Sequence, residues 1–157
     1  MPLFRTLVMA TFVFFIDRVS KWIVIEFLDL PRRIYIEVYP PYINFMMAWN
    51  EGINFGLFGS SNDFTRYFLI ALALAIVVGL VFWVRNKEGW LVPLCVGAII
   101  GGAMGNVLDR VVYGAVADFL NMSCCGYINP YAFNIADIAI FAGAFCLIIF
   151  ADPKHKH

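Results

Sequence analysis

The sequence predicts a membrane α-helical protein, with four transmembrane helices and a small extracytoplasmic β-sheet between helices 1 and 2. Three observations predict it. Mean hydropathy is +0.82, with 62% hydrophobic and only 14% charged residues, whereas soluble domains carry about 25% charged residues. Four apolar runs, 7–28, 64–84, 90–108 and 134–151, are each long enough to cross a hydrocarbon core of about 30 Å at about 1.5 Å per helical residue. Between the first two runs, residues 30–63 change to a period-two pattern. The whole chain, 1–157, is expected to form one domain.

The first run follows Arg5, as the apolar run of a signal peptide follows its basic start, but no small-x-small cleavage site follows and Asp17 lies within it, so it reads as a retained helix. A charge inside a span costs about 2.5–3.5 kcal/mol on insertion scales, so such groups pair or carry function. Asp17 and Lys21 stand at i and i+4 with the acid first, the favourable order for a structural ion pair. Ser20 beside Lys21 makes a poor nucleophile–base pair, because adjacent residues on a helix point in different directions.

In residues 30–63, Pro31, Pro40 and Pro41 punctuate the chain, and Ile34, Ile36 and Val38 alternate with Tyr35, Glu37 and Tyr39. Period two is the strand signature. "YINFMMAWNEGINFGLF", residues 42–58, reads as two further strands about a turn at Asn50, Glu51 and Gly52. A sheet with open edges is not viable in lipid, so this one is expected at the membrane surface.

The second long run is almost wholly apolar. The third carries Gly97, Gly101 and Gly105 at four-residue spacing, a ridge without side chains against which another helix packs closely. It closes on "GNVLDR", where Asn106 and Asp109 share a face and Arg110 supplies a cation or a donor. Residues 109–133 are expected as a loop that contains Asp118 between apolar neighbours and re-enters the membrane past Pro130. The fourth run opens with Asn134 as N-cap and Asp137 at the N3 position, with Phe133 and Ile138 as a hydrophobic staple.

Formal net charge is zero, which gives no footprint for nucleic acid or a polybasic membrane patch. Arg5, Arg85, Lys87, Lys154 and Lys156 flank the runs on one side, and Arg32, Arg33, Arg66 and Arg110 on the other; on this bias both termini are placed in the cytoplasm. Cys95 and Cys146 fall within runs, Cys124 and Cys125 are adjacent, and no CxxC occurs. They are expected as buried apolar fillers and loop thiols. The only histidines are His155 and His157, which leaves no histidine zinc site and no His-based triad, so neither metal nor cofactor is expected.

An out-and-back topology gathers Asn50, Asn106, Asp109, Asp118 and Asp137 at one interface. Two carboxylates held close cannot both ionise, so one keeps a proton while the other acts as base toward water. That is the chemistry of an aspartyl peptidase. A small channel or transporter would also account for Asp17, Lys21 and Asp137, but a pathway offers polar groups along its depth. A quinone-linked thiol oxidoreductase lacks its CxxC.

"DRVSK" (17–21), "AWNEG" (48–52), "GGAMGNVLDR" (101–110), "VADF" (116–119) and "FNIAD" (133–137) fall in the order and spacing of lipoprotein signal peptidases, which the chain resembles over most of its length. The resemblance implies a bacterial inner-membrane, multi-pass aspartyl peptidase with an outer β-cradle. Its implied substrates are diacylglyceryl-modified prolipoproteins, cut just before the modified cysteine, and it implies contact with membrane lipids, a monomer and no cofactor. Asp118 and Asp137 correspond to the family's catalytic pair. Asn50, Gly52, Asn106, Asp109, Arg110 and Asn134 match its substrate-binding positions, and Asp17 and Lys21 its structural first-helix positions. Glu51 and Asn54 depart from the family pattern, Glu51 standing where Thr is usual and Asn54 where a small or apolar residue is common.

Overall fold

Proline in the first turn of a helix loses only a hydrogen bond that would be absent anyway. Helix α1 (Pro2–Trp22) uses Pro2 in this way, so it begins at residue 2 rather than at 7. The chain then continues as a π-helix over Ile23–Phe27 and a short α2 (Leu30–Arg33), where one unbroken helix to 28 was expected. This computed structural model describes residues 1–52, 62–124, 126–127 and 129–150. The strand expected after Gly52, Asn54, Cys125 and the C-terminal residues Ala151, Lys154, His155, Lys156 and His157 lie outside the described residues.

Strand β1 (Tyr35–Tyr39) pairs antiparallel with β2 (Ile43–Asn50), as the alternation predicts. Among the described residues the third strand of the sheet is β3 (Val116–Met122), which pairs antiparallel with β2 to give the order β1-β2-β3. The stretch expected as a loop is therefore the strand that carries Asp118. Its first four residues are all buried, so it lacks the apolar–polar alternation by which a half-exposed strand is recognised. The sheet packs through Phe45 and Phe119 onto Val24 of the π-helix, Leu30 of α2 and Ile135.

Helix α3 (Asn62–Val84) is tied to α4 (Leu91–Tyr113) where Arg66 Nη2 donates to the Val111 carbonyl at 2.9 Å. α4 runs past the expected end at 108 and stops at Gly114, whose φ of 84° makes it a left-handed cap and whose N–H donates to the Arg110 carbonyl at 3.2 Å. Asn106 and Asp109 thus lie within the helix, and Arg110 in its last turn. Helix α5 spans Ile135–Phe150. Among the described residues, Asp63–Val84 and Leu91–Tyr113 are long and apolar enough to cross a membrane, and α5 is a shorter apolar helix.

α4 is the hub. A Cβ added to Gly97 would lie 2.6 Å from the Thr6 carbonyl, one on Gly101 2.5 Å from that of Ala10, and one on Gly105 2.5 Å from Asp17 Oδ2. The four-residue glycine ridge therefore faces α1, as its spacing predicts. Gly102 and Gly143 bring α5 equally close on the other flank, against the Ala136 and Cys95 carbonyls. There the cysteine expectation fails: Cys95 and Cys146 are joined as a disulfide between α4 and α5, with Cα atoms 6.0 Å apart, and Cys124 is also disulfide-bonded. The Cys95–Cys146 partners are 51 residues apart, so only the close helix contact at Gly143 brings them within bridging range.

Candidate active site

Asp118 lies midway along β3, opposite Ala48 of β2. β2 has one extra residue between Phe45, which faces Leu120, and Ala48, which faces Asp118. Such a bulge changes which face the following side chains occupy. It places Asn50 diagonally across from Asp118, and Asn50 Nδ2 donates to Asp118 Oδ2 at 3.0 Å. The other end of the Asn50 amide is fixed as well, since its Oδ1 accepts the Gly52 N–H at 3.0 Å. Gly52 holds φ at 94°, a left-handed conformation that favours glycine.

Asp137 sits in the first turn of α5, and the expected capping box forms. Asn134 Oδ1 accepts the Asp137 N–H at 2.9 Å, and Asp137 Oδ2 accepts the Asn134 N–H at 3.2 Å. Capping leaves much of both side chains unused. Asn134 Nδ2 donates to Asp118 Oδ1 at 2.6 Å and to Asn106 Oδ1 at 3.2 Å, while Asn106 Nδ2 donates to Asp137 Oδ1 at 2.9 Å. Two amides from two helices thus bridge two carboxylates from a strand and a helix. The amide orientations are mutually consistent, because the oxygen of Asn106 faces the donors Asn134 and Lys21 (3.4 Å) and its nitrogen faces the acid.

Asp118 is only 3% exposed, and its pKa is pushed up to about 6. Burial is the main cause, and the charge of Asp137 adds to it; hydrogen bonds from Asn50 and Asn134 and the charge of Lys21 pull the other way. One carboxyl of the pair therefore holds a proton well above the ordinary Asp range.

Beneath the pair lies a buried charge cluster. The Asp17–Lys21 ion pair expected from their spacing is present at 3.1 Å, but Lys21 is also 2.6 Å from Asp109. Arg18 completes the cluster, 2.7 Å from Asp17 and 2.6 Å from Asp109. Asp109 is 0% exposed, its carboxylate held by Arg18, Lys21 and the Ala117 N–H. Arg18 is absent from the candidates above, yet its signal is local: Asp17, Arg18 and Lys21 leave one positive charge unmatched on this stretch of α1, which calls for an acid from another element. Arg110 behaves differently. Its Nη1 donates to the Asn106 carbonyl at 3.3 Å and its Nε is buried without a partner among the described residues.

Residues 9–151 match the profile of the family described as signal peptidase (SPase) II. The chain belongs to the signal peptidase II family. It is similar to proteins named lipoprotein signal peptidase from Methylobacterium sp. (34% identity, covering 94% of this chain and 88% of the relative) and Alteromonas mediterranea (37%, 92% and 79%). The match to the Methylorubrum extorquens relative is 42% identical over 69% of this chain, and there the chain spans 63% of the relative's length. A solved bacterial membrane enzyme, obtained by the in meso method at 2.3 Å resolution, superposes with a TM-score of 0.76 at 27% identity, covering 97% of this chain and 91% of that one. The helical body with its small antiparallel sheet is thus the architecture of a membrane enzyme, and the family is one of bacterial peptidases.

Proposed function

We propose that this chain is an aspartic endopeptidase that removes the signal peptide from diacylglyceryl-modified prolipoproteins by cutting before the lipidated cysteine. The observation that carries the proposal is the bridging of Asp118 to Asp137 through Asn134 and Asn106. In this reading the pair shares one proton, held mainly on Asp118, whose pKa is raised to about 6. Asp137 removes a proton from water as it attacks the scissile carbonyl, and Asp118 protonates the carbonyl oxygen. Collapse of the tetrahedral diol returns the proton from Asp137 to the leaving amide nitrogen and that from the diol to Asp118, with no covalent enzyme intermediate. Neither metal nor cofactor enters these steps.

Arg110 offers its unpartnered Nε to substrate carbonyls, and Asn50, positioned by the turn at Gly52, forms the rim with Asn106, while the buried Asn134 supports the pair from behind. Asp109, Asp17 and Lys21 act from below. The single-domain monomer spans the bacterial inner membrane four times through α1, α3, α4 and α5. Both termini are cytoplasmic and the sheet lies at the outer lipid surface, where the substrate's acyl chains stay in the membrane while its peptide reaches the pair.

The test is cleavage of a lipidated precursor by the purified protein, beside the same precursor without lipid and with Asp118→Asn and Asp137→Asn enzymes. Only the lipidated precursor should be cut, and only by the unmodified enzyme. Cleavage that survives in both variants removes the aspartic mechanism, and equal cleavage of both precursors removes the substrate assignment.

A further inference from the structure

Arg18 belongs to the charge cluster but does not contact the dyad directly: its described partners are Asp17, Asp109, the Gly105 carbonyl at 3.2 Å and the ring of Phe14. Lys21 lies across from it, in contact with the same two acids. The four side chains close a ring of alternating sign, Asp17–Arg18–Asp109–Lys21, with no net charge. A buried ring of this kind resists opening, because removal of one member leaves a buried charge uncompensated.

The acids also reach beyond the ring, to backbone. Asp17 Oδ1 accepts the Ala136 N–H at 3.1 Å, one residue before Asp137, and Asp109 Oδ2 accepts the Ala117 N–H at 3.2 Å, one residue before Asp118. Ala117 lies on β3 and Ala136 on α5, so a single ring anchors the backbone under both members of the pair. Within it, Lys21 has a further bond to Asn106 Oδ1, and Asn106 donates to Asp137.

We propose that Arg18 is a positioning residue for the dyad: by bridging Asp17 to Asp109 it fixes the two backbone amides that precede Asp137 and Asp118, and it leaves Lys21 free to reach Asn106. The proposal rests on the reading of Asp118 and Asp137 as the catalytic pair. The charged groups that act on Asp118 are Asp137 from α5, Lys21 from α1 and Arg110 from α4, while β2 presents the neutral amide of Asn50. Asp109 on α4 is compensated within the ring. Without Arg18, Lys21 alone serves two carboxylates, is drawn off Asn106 and screens Asp118 less. The shared proton is then held more firmly, so the alkaline limb of kcat/KM moves to higher pH.

The experiment measures kcat, KM and the pH profile of the detergent-solubilised full chain on a lipidated precursor, for Arg18→Gln and Arg18→Lys. Arg18→Gln should lower kcat at least about 10-fold with KM within about twofold and move the alkaline limb up by about half a unit, whereas Arg18→Lys keeps the limb in place and recovers most of the rate. A folded Arg18→Gln enzyme with unaltered kcat and limb overturns the proposal. So does a loss of kcat with an unmoved limb that lysine does not restore, the mark of a merely structural side chain. If Arg18→Gln does not accumulate as folded protein, Arg18→Lys decides: a wild-type limb with at most about a 10-fold lower kcat supports positioning by charge, and a shifted limb or a larger loss overturns it. Asp118→Asn is assayed in parallel, because normal turnover there means that the aspartic reading has failed, whatever Arg18 does.

Discussion

Asn134 is bound to Asp118 at 2.6 Å through Nδ2 while its Oδ1 accepts the backbone N–H of Asp137 at 2.9 Å. The residue that starts α5 is therefore also the residue that ties the strand carboxylate to the helix carboxylate. Helix capping needs only the oxygen, and the bridge needs only the nitrogen. The two functions of one side chain can be separated by substitution.

Asn134→Ser keeps an N-cap oxygen and loses the bridge, whereas Asn134→Ala loses both. Thermal unfolding should place the serine variant within about 0.5 kcal/mol of the parent and the alanine variant about 1 kcal/mol lower. Cleavage should fall about 10- to 100-fold in both, the equivalent of a charge-assisted hydrogen bond of about 1.5–3 kcal/mol. Serine with parental turnover would leave Asn134 as a cap and nothing more.

Asp137 poses the same question from the other side of the capping box. Asp137→Asn retains a side-chain oxygen for the Asn134 N–H, so its stability cost should stay within about 0.5–2 kcal/mol. Turnover should drop at least about 100-fold, because the base is gone. A folded Asp137→Asn protein that still cleaves near normally would show that this acid is only part of a helix start.

Asp118 ties stability to pH. Its pKa is raised to about 6 in the folded protein by burial, so between the ordinary Asp value and 6 the folded state binds more protons than the unfolded one. Stability then rises as pH falls through about 6 and is lowest on the alkaline side. Asp118→Asn, which cannot ionise, should be relatively more stable than the parent at alkaline pH, and the difference should shrink as pH falls below 6. Melting temperatures of both proteins across pH test this, and a difference that grows toward acid contradicts the burial argument.

Much of this site was legible because its residues carry local signals. Asn134 and Asp137 announce a helix start, Asn106 and Asp109 share a helix face, and Asp17 and Lys21 stand one turn apart. What stayed hidden depends on contacts distant in sequence. β3 gave no alternating pattern because its first four residues are all buried, and the bulge that turns Asn50 toward Asp118 exists only relative to that strand. The ring that holds Asp109 forms only because the ridge of Gly97, Gly101 and Gly105 brings α1, and with it Arg18 and Lys21, against α4. The Cys95–Cys146 pair was concealed in the same way, by a helix contact that spacing does not encode.

That ridge yields the last prediction. Gly101 and Gly79 are both helical glycines, yet a Cβ on Gly101 would lie 2.5 Å from the Ala10 carbonyl and 2.9 Å from Val13 Cβ, whereas one on Gly79 would meet nothing within 4 Å. Backbone cannot yield as the end of a flexible side chain can, so Gly101→Ala must push α1 away from α4 at a cost of about 1–3 kcal/mol. Gly79→Ala only removes chain freedom from the unfolded state and should be neutral or stabilise by about 0.4–1 kcal/mol. Separation of α1 from α4 also shifts Asp17 and Lys21 relative to Asp109, so Gly101→Ala should lose cleavage beyond its loss of folded protein, while Gly79→Ala should leave cleavage unchanged. Equal stability and turnover in the two variants would mean that α1 and α4 are not held at the close distance on which the buried ring and the dyad above it depend.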